Sequence, residues 1–198
     1  MPNWCFSTVL IHGKPKQLKS LETALEEATS KNFVENGFGK NWLGNLVEYM
    51  GMRYGEMPCR GTVEWVSLSD DEDVLEINVA SAWSPHLKPI EAMVEKYAPD
   101  SEMLYVAEEP GCCLYWTNDP EYIDQYVVDK WEDDSNLPLE LYNMDSYTYF
   151  SDDELRSFLR DVLNKPNAEL KELLEVVDEE YGDYLSINQY ECVELDEI

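Results

Sequence analysis

Two apolar runs, GTVEWVSLS (61–69) and VLEINVASAW (74–83), stand either side of four consecutive acids at 70–73. A short polar turn between two such runs predicts a β-hairpin closing around DDED. That pairing constrains the chain more than any other feature. Whatever precedes and follows it must pack against a sheet that already has two strands. Upstream, CFSTVLIHG (5–13) is a short β-rich run ending at Gly13. Leu18, Leu21, Leu25 and Ala28 then recur at helical spacing and predict an amphipathic helix over about 15–29. Downstream, Ser84 offers an N-cap with Pro85 at the first helical position. Leu87, Ile90, Val94 and Tyr97 complete a helical stripe that ends before Pro99. MLYVAEE (103–109) reads as a strand, PG at 110–111 as a turn, and CCLYWTN (112–118) as the returning strand.

The resulting order, β-α-β-β-α-β with one extra strand, predicts an α+β fold. Its expected form is a ferredoxin-like split βαβ antiparallel sheet with both helices on one face. Residues 30–61 hold six glycines, and Trp42, Leu43, Leu46, Val47 and Met50 predict one short helix within that excursion. Beyond residue 119, YIDQYVV and LYNMDSYTYF suggest one or two further strands. Ser151 and Glu154 have the spacing of a capping box ahead of Leu155, Phe158, Leu159, Val162 and Leu163. Pro166 ends that helix. Asn167 is placed to cap another, with Leu170, Leu173, Leu174 and Val177 as its stripe. The expected organisation is a ferredoxin-like domain over 1–118 and an acidic α/β extension over 119–198 whose C-terminal part is helical, packed on the first as one unit.

Charge is the second constraint. The 198-residue chain has 42 acids against 14 Lys and Arg, a net charge of −28. Residues 1–99 hold 14 acids and 9 bases, whereas residues 100–198 hold 28 and 5. With 44% apolar and 12% aromatic residues, the chain is not a disordered acidic tail. A surface of this sign repels phosphate, which argues against direct binding to nucleic acid or anionic lipid and for a basic partner.

The absences are equally specific. No stretch reaches the ~18–20 apolar residues of a membrane span. The beginning of the sequence lacks the pattern of a signal peptide. Five cysteines, Cys5, Cys59, Cys112, Cys113 and Cys192, include no C-x-x-C, which suggests free thiols in a reducing cytosol. Cys112 and Cys113 are expected on a strand, one side chain to each face. His12 and His86 lack partners at metal-ligand spacing, and there is no P-loop, G-x-G-x-x-G or G-x-S-x-G. No catalytic residue, cofactor or metal is expected. The six tryptophans could form a stacking platform for single-stranded nucleic acid, but acidic flanks make core packing the expectation for most of them.

Three short motifs resemble the YubB-type ferredoxin-like proteins of phages and plasmids: PNWC (2–5) before the first strand, SAWSP (81–85) after the third, and EEPG (108–111) after the fourth. RGTVEW (60–65) echoes that family's Trp-Gly segment only loosely. The resemblance covers about residues 1–118. It implies a mobile genetic element acting in the cytosol of a bacterial host, and it brings no catalytic residues with it.

The candidate binding residues lie outside that resemblance. After Lys171 the chain has ten acids and no Lys or Arg. On a helix, Glu169, Glu172 and Glu175 climb at steps of about 4.5 Å, and Asp178 and Glu179 extend the row. One strand of B-DNA presents a phosphate every ~3.4 Å. Asp152, Asp153 and the cluster Glu132, Asp133 and Asp134 are the next candidates. The function expected from this pattern is a non-enzymatic inhibitor of a DNA-binding host defence protein, anti-CRISPR or anti-restriction, acting by DNA mimicry. Two rival readings are an acidic adaptor or chaperone for a basic phage or plasmid protein, and a metal-dependent hydrolase built on Asp and Glu clusters.

Overall fold

The structure is a computed structural model, and it describes every residue except 1–2, 36–37 and 132–135. The chain is mixed α+β and divides into two compact units, Met1–Asp119 with Val193–Ile198, and Pro120–Cys192.

The first unit contains β1 (Trp4–His12), α1 (Pro15–Ala28), α2 (Leu43–Tyr49), β2 (Gly61–Leu68), β3 (Val74–Ala82), α3 (Lys88–Tyr97), β4 (Glu102–Glu109) and β5 (Leu114–Thr117). Within this unit the strands run in the order β2-β3-β1-β4-β5, each neighbouring pair antiparallel. β1 is the centre. It pairs with β3 from Trp4↔Ala82 to His12↔Val74, and with β4 from Phe6↔Glu108 to His12↔Glu102. Cys5, Ser7, Val9 and Ile11 are buried, and the alternate side chains of Trp4 and Phe6 are exposed, as the two-residue period of a strand requires. α1 supplies Leu18, Leu21, Leu25 and Ala28 to the core, α2 supplies Leu43, Leu46 and Val47, and α3 supplies Ile90, Met93 and Val94. α1 and α3 pack against each other. Each fully buried Leu or Ile contributes about 1.5–3 kcal/mol relative to an exposed one.

The β2–β3 hairpin is close-packed at its far end. A Cβ built on Gly61 would lie 2.5 Å from the Ala80 carbonyl oxygen, so only glycine lets the strands meet there. The segment Val193–Ile198 belongs to this unit. The Val193 N–H donates to the Thr117 carbonyl at 2.9 Å, the Tyr105 hydroxyl donates to the Val193 carbonyl at 2.7 Å, and Lys88 Nζ donates to the Leu195 carbonyl at 2.7 Å.

Two local expectations fail in this unit. α3 starts at Lys88, not at Ser84. The residues between are held off the helix by other bonds. The Trp83 N–H donates to the Asn3 carbonyl at 2.9 Å, the Ser81 hydroxyl donates to the Ser84 carbonyl at 2.8 Å, and His86 Nδ1 accepts the Arg60 N–H at 3.0 Å. The strand expected at 112–118 begins only at Leu114. Cys112 closes a 3₁₀ turn and Cys113 adopts a left-handed conformation with φ 53°, so both thiols are exposed instead of projecting to opposite faces of a strand.

The second unit contains β6 (Tyr126–Lys130), α4 (Leu139–Tyr142), β7 (Thr148–Phe150), α5 (Asp152–Val162), α6 (Leu170–Tyr181) and β8 (Leu185–Gln189). Its sheet has the order β7-β6-β8 and both pairings are antiparallel. The core joins Tyr126 and Val128 of β6 to Leu155 and Leu159 of α5, Leu173 and Val177 of α6, and Leu185 of β8. The helices of the expected helical C-terminal part are present, and a strand that the sequence does not announce follows them. α6 stops at Tyr181, and Leu185–Gln189 returns as a strand along β6 in the register Lys130↔Leu185 to Tyr126↔Gln189.

Candidate partner-binding surface

The acidic surface of the second unit is built on α5 and α6. Ser151 caps α5 as its spacing with Glu154 predicts. The Glu154 N–H donates to Ser151 Oγ at 3.4 Å, and the Ser151 N–H donates to Glu154 Oε2 at 2.9 Å. The Ser151 hydroxyl, which donates to the same Oε2 at 2.6 Å, and then the Ser151 N–H hold the Glu154 carboxyl below its usual pKa. Leu155 and Leu159 turn inward, which leaves Asp152 and Asp153 outside in the first turn, where the helix dipole favours a negative charge. Both are nevertheless engaged. Arg156 forms an ion pair with Asp152 and another with Asp153, the latter at 3.1 Å.

α6 begins differently from the sequence expectation. Its N-cap is Glu169, not Asn167, and Glu172 completes the capping box by accepting the Glu169 N–H on Oε2 at 3.3 Å. Arg160, near the end of α5, reaches across to this start. Its Nε donates to the Ala168 carbonyl at 2.8 Å, and its Nη2 lies 3.8 Å from Glu169 Oε1. Leu170, Leu173 and Val177 face the core, so Glu172, Glu175, Asp178 and Glu179 are left exposed.

The predicted residues thus separate into two sets. Asp152, Asp153, Glu169 and Glu172 carry out internal work as ion-pair or capping groups. Glu175, Asp178 and Glu179 are exposed along the second half of α6, and no cation among the described residues lies within ion-pair distance of them. Glu180, which the sequence analysis left aside, is exposed beside them; burial, then hydrogen bonding to the Glu180 carboxylate and its charge, raise the pKa of the Tyr181 hydroxyl. Glu132, Asp133 and Asp134 lie outside the described residues. The preceding Trp131 sits beside the turn that follows α6, with its indole N–H donating to the Asp183 carbonyl at 2.9 Å and its backbone N–H to Tyr184 at 3.1 Å.

The unit carrying this surface has 20 acids and 5 bases over residues 120–192, a net of −15 in 73 residues, against 22 acids and 9 bases, a net of −13, in the other 125. The strand carboxylate Asp129 is itself partly buried, which raises its pKa. Among the described residues no group of three or more His, Cys, Asp and Glu side chains is arranged to hold a metal ion, and no helix is long and apolar enough to cross a membrane.

The tryptophans overturn the expectation of core packing. Trp42 is buried, with its ring centroid 5.1 Å from that of Tyr54, and Trp116 is partly buried. Trp4, Trp65, Trp83 and Trp131 are 44 to 55% exposed. The helices cover only one side of β1, so side chains on the alternate positions of that strand have no layer to enter.

Comparison with family models, with curated proteins and with solved structures gave no match.

Proposed function

We propose that the protein is a non-enzymatic inhibitor that binds a basic, DNA-binding host protein, and that unit 120–192 supplies the contact by imitating DNA charge. The observation that carries this reading is the row Glu175, Asp178 and Glu179. Three carboxylates project from one turn and a half of helix with no neutralising side chain near them among the described residues. Such a row lowers the stability of the isolated fold through self-repulsion, and a basic groove converts that cost into affinity and fast, salt-sensitive association. The strand order β2-β3-β1-β4 with a helix in each crossover supports a ferredoxin-like split βαβ assignment for the first unit. The PNWC, SAWSP and EEPG motifs support an origin in a phage or plasmid acting in a bacterial cytosol. The partner class that fits is a CRISPR effector or a restriction enzyme.

The test is displacement. The purified protein is titrated into such an effector bound to a fluorescent duplex, at low and high salt. Wild type is expected to release the DNA with a steep loss of effect at high salt. E175Q/D178N/E179Q is expected to leave the DNA bound. Release by that variant as effective as by wild type removes the mimicry reading. Capture from lysate of basic proteins that bind no DNA supports the adaptor reading instead.

A further inference from the structure

Three exposed aromatic residues of the first unit, Trp4, Phe6 and Trp65, share one side of its sheet. In an antiparallel pair, directly opposed residues share a face. On β1, Trp4 stands opposite Ala82 and Phe6 opposite Ala80, both on β3. On β2 the register shifts between Val63 and Trp65. Before the shift Val63 opposes Val79 and is buried. An unbroken register would set Trp65 opposite Ile77, in the core. The bulge sets it opposite Asn78, whose side chain accepts a hydrogen bond from Thr8 Oγ1 at 3.1 Å, and returns Val66 to Ile77. A single extra residue, Glu64, thus turns Trp65 outward onto the face of Trp4 and Phe6, the re-aiming that bulges perform beside binding sites.

β2 and β1 flank β3 at about 10 Å from each other. Between their aromatic side chains β3 offers only the small Ala80 and Ala82, both buried, and Asn78 on this face, so the exposed rings of Trp4, Phe6 and Trp65 form its outer surface. The charge around it is mainly negative. Glu64 follows Val63 on β2, Glu76 accepts a hydrogen bond from Asn78 at 3.0 Å, and Glu108 stands opposite Phe6. The exposed Arg60, whose carbonyl accepts the Ala82 N–H at 3.0 Å just before β2, is the cation at one end of this face, and the described strand residues of β1 to β4 add no other Lys or Arg.

We propose that this aromatic face is a second docking surface, and that its occupant is an arginine-bearing segment of the basic partner. The proposal rests on the reading of a basic partner given above and names a contact distinct from the carboxylates of α6. A guanidinium is planar and weakly hydrated, stacks on aromatic rings, and is drawn by the surrounding carboxylates. The same charge argues against the other occupants. A second copy of a −28 chain is repelled, and so is a phosphate backbone.

The experiment titrates the intact protein with fluorescent oligoarginine and oligolysine peptides of equal length at physiological salt. Carboxylates alone attract both peptides, whereas stacking favours arginine. Wild type is expected to prefer oligoarginine. W4A/F6A/W65A is expected to bind oligoarginine roughly tenfold more weakly and oligolysine unchanged, losing that preference. W4L/F6L/W65L keeps apolar side chains without rings and is expected to show the same loss; it carries the test if the alanine variant melts early. E175Q/D178N/E179Q is expected to weaken both peptides together and to keep the preference, so a failure of the α6 reading is separable from a failure of this one. No arginine preference in wild type, or wild-type binding by the leucine variant, overturns the proposal. A dimer in sedimentation equilibrium that W4A/F6A/W65A dissolves, or tighter binding of oligouridylate than of oligoarginine, overturns it in favour of the other occupants.

Discussion

Glu172 accepts the backbone N–H of Glu169 at 3.3 Å, so one carboxylate of the acidic row secures the start of α6. Stability and binding are therefore expected to separate along one helix. Glu172→Ala is expected to cost about 1 kcal/mol of stability, as loss of a capping interaction does, with little change in partner binding. E175Q/D178N/E179Q is expected to abolish binding with an unchanged or raised melting temperature, because repulsion falls. Thermal melts beside the displacement assay check both. A variant at 175, 178 and 179 that binds normally removes α6 from the interface.

His86 is partly buried with Nδ1 accepting the Arg60 N–H at 3.0 Å, a bond that requires the neutral ring. Burial, then the Arg60 charge, lowers its pKa from the ordinary 6.5. The unfolded chain takes the proton first, so this group's contribution is complete above the unfolded pKa and is lost as pH falls through the folded one. The melting temperature of wild type relative to His86→Gln is expected to decline between neutral pH and about pH 5. Parallel curves for the two proteins would show that His86 carries no pH dependence.

The Glu109 carboxyl beside Cys112 raises that thiol's pKa; Cys5 is pushed up to about 12 by burial, and burial also raises Cys59. Alkylation of the native protein is expected to modify Cys112, Cys113 and Cys192 and to spare Cys5 and Cys59 until unfolding. Glu109→Gln is expected to speed modification of Cys112 selectively. Mass spectrometry of timed samples gives the rates, and an unchanged Cys112 rate in that variant contradicts the influence of Glu109 on the thiol.

Gly61→Ala is expected to destabilise the first unit by about 1–3 kcal/mol, because the new methyl group meets the Ala80 carbonyl across the hairpin. Urea unfolding measures it. An unchanged midpoint means that β2 shifts freely against β3.

What the sequence alone determined is local in origin. The hairpin over 61–68 and 74–82, the stripe of α1 and the Ser151–Glu154 box each depend on residues a few positions apart, and periodicity reports those directly. Tertiary structure decided the rest. Ser84 and Pro85 carry helix-start chemistry, yet bonds to Asn3, Ser81 and Arg60 hold residues 83–87 out of α3. Leu185–Gln189 is too short to declare a strand until β6 offers its edge. Trp4 and Trp65 are apolar and would enter a core, but helices cover one side of β1 and a bulge turns Trp65 to the other. Of the acidic candidates, composition marks the whole set alike. Only the folded positions of Arg156, Arg160 and the α6 cap separate the carboxylates that hold the fold from those that face outward, because pairing depends on distances in space that charge counts along a chain do not contain.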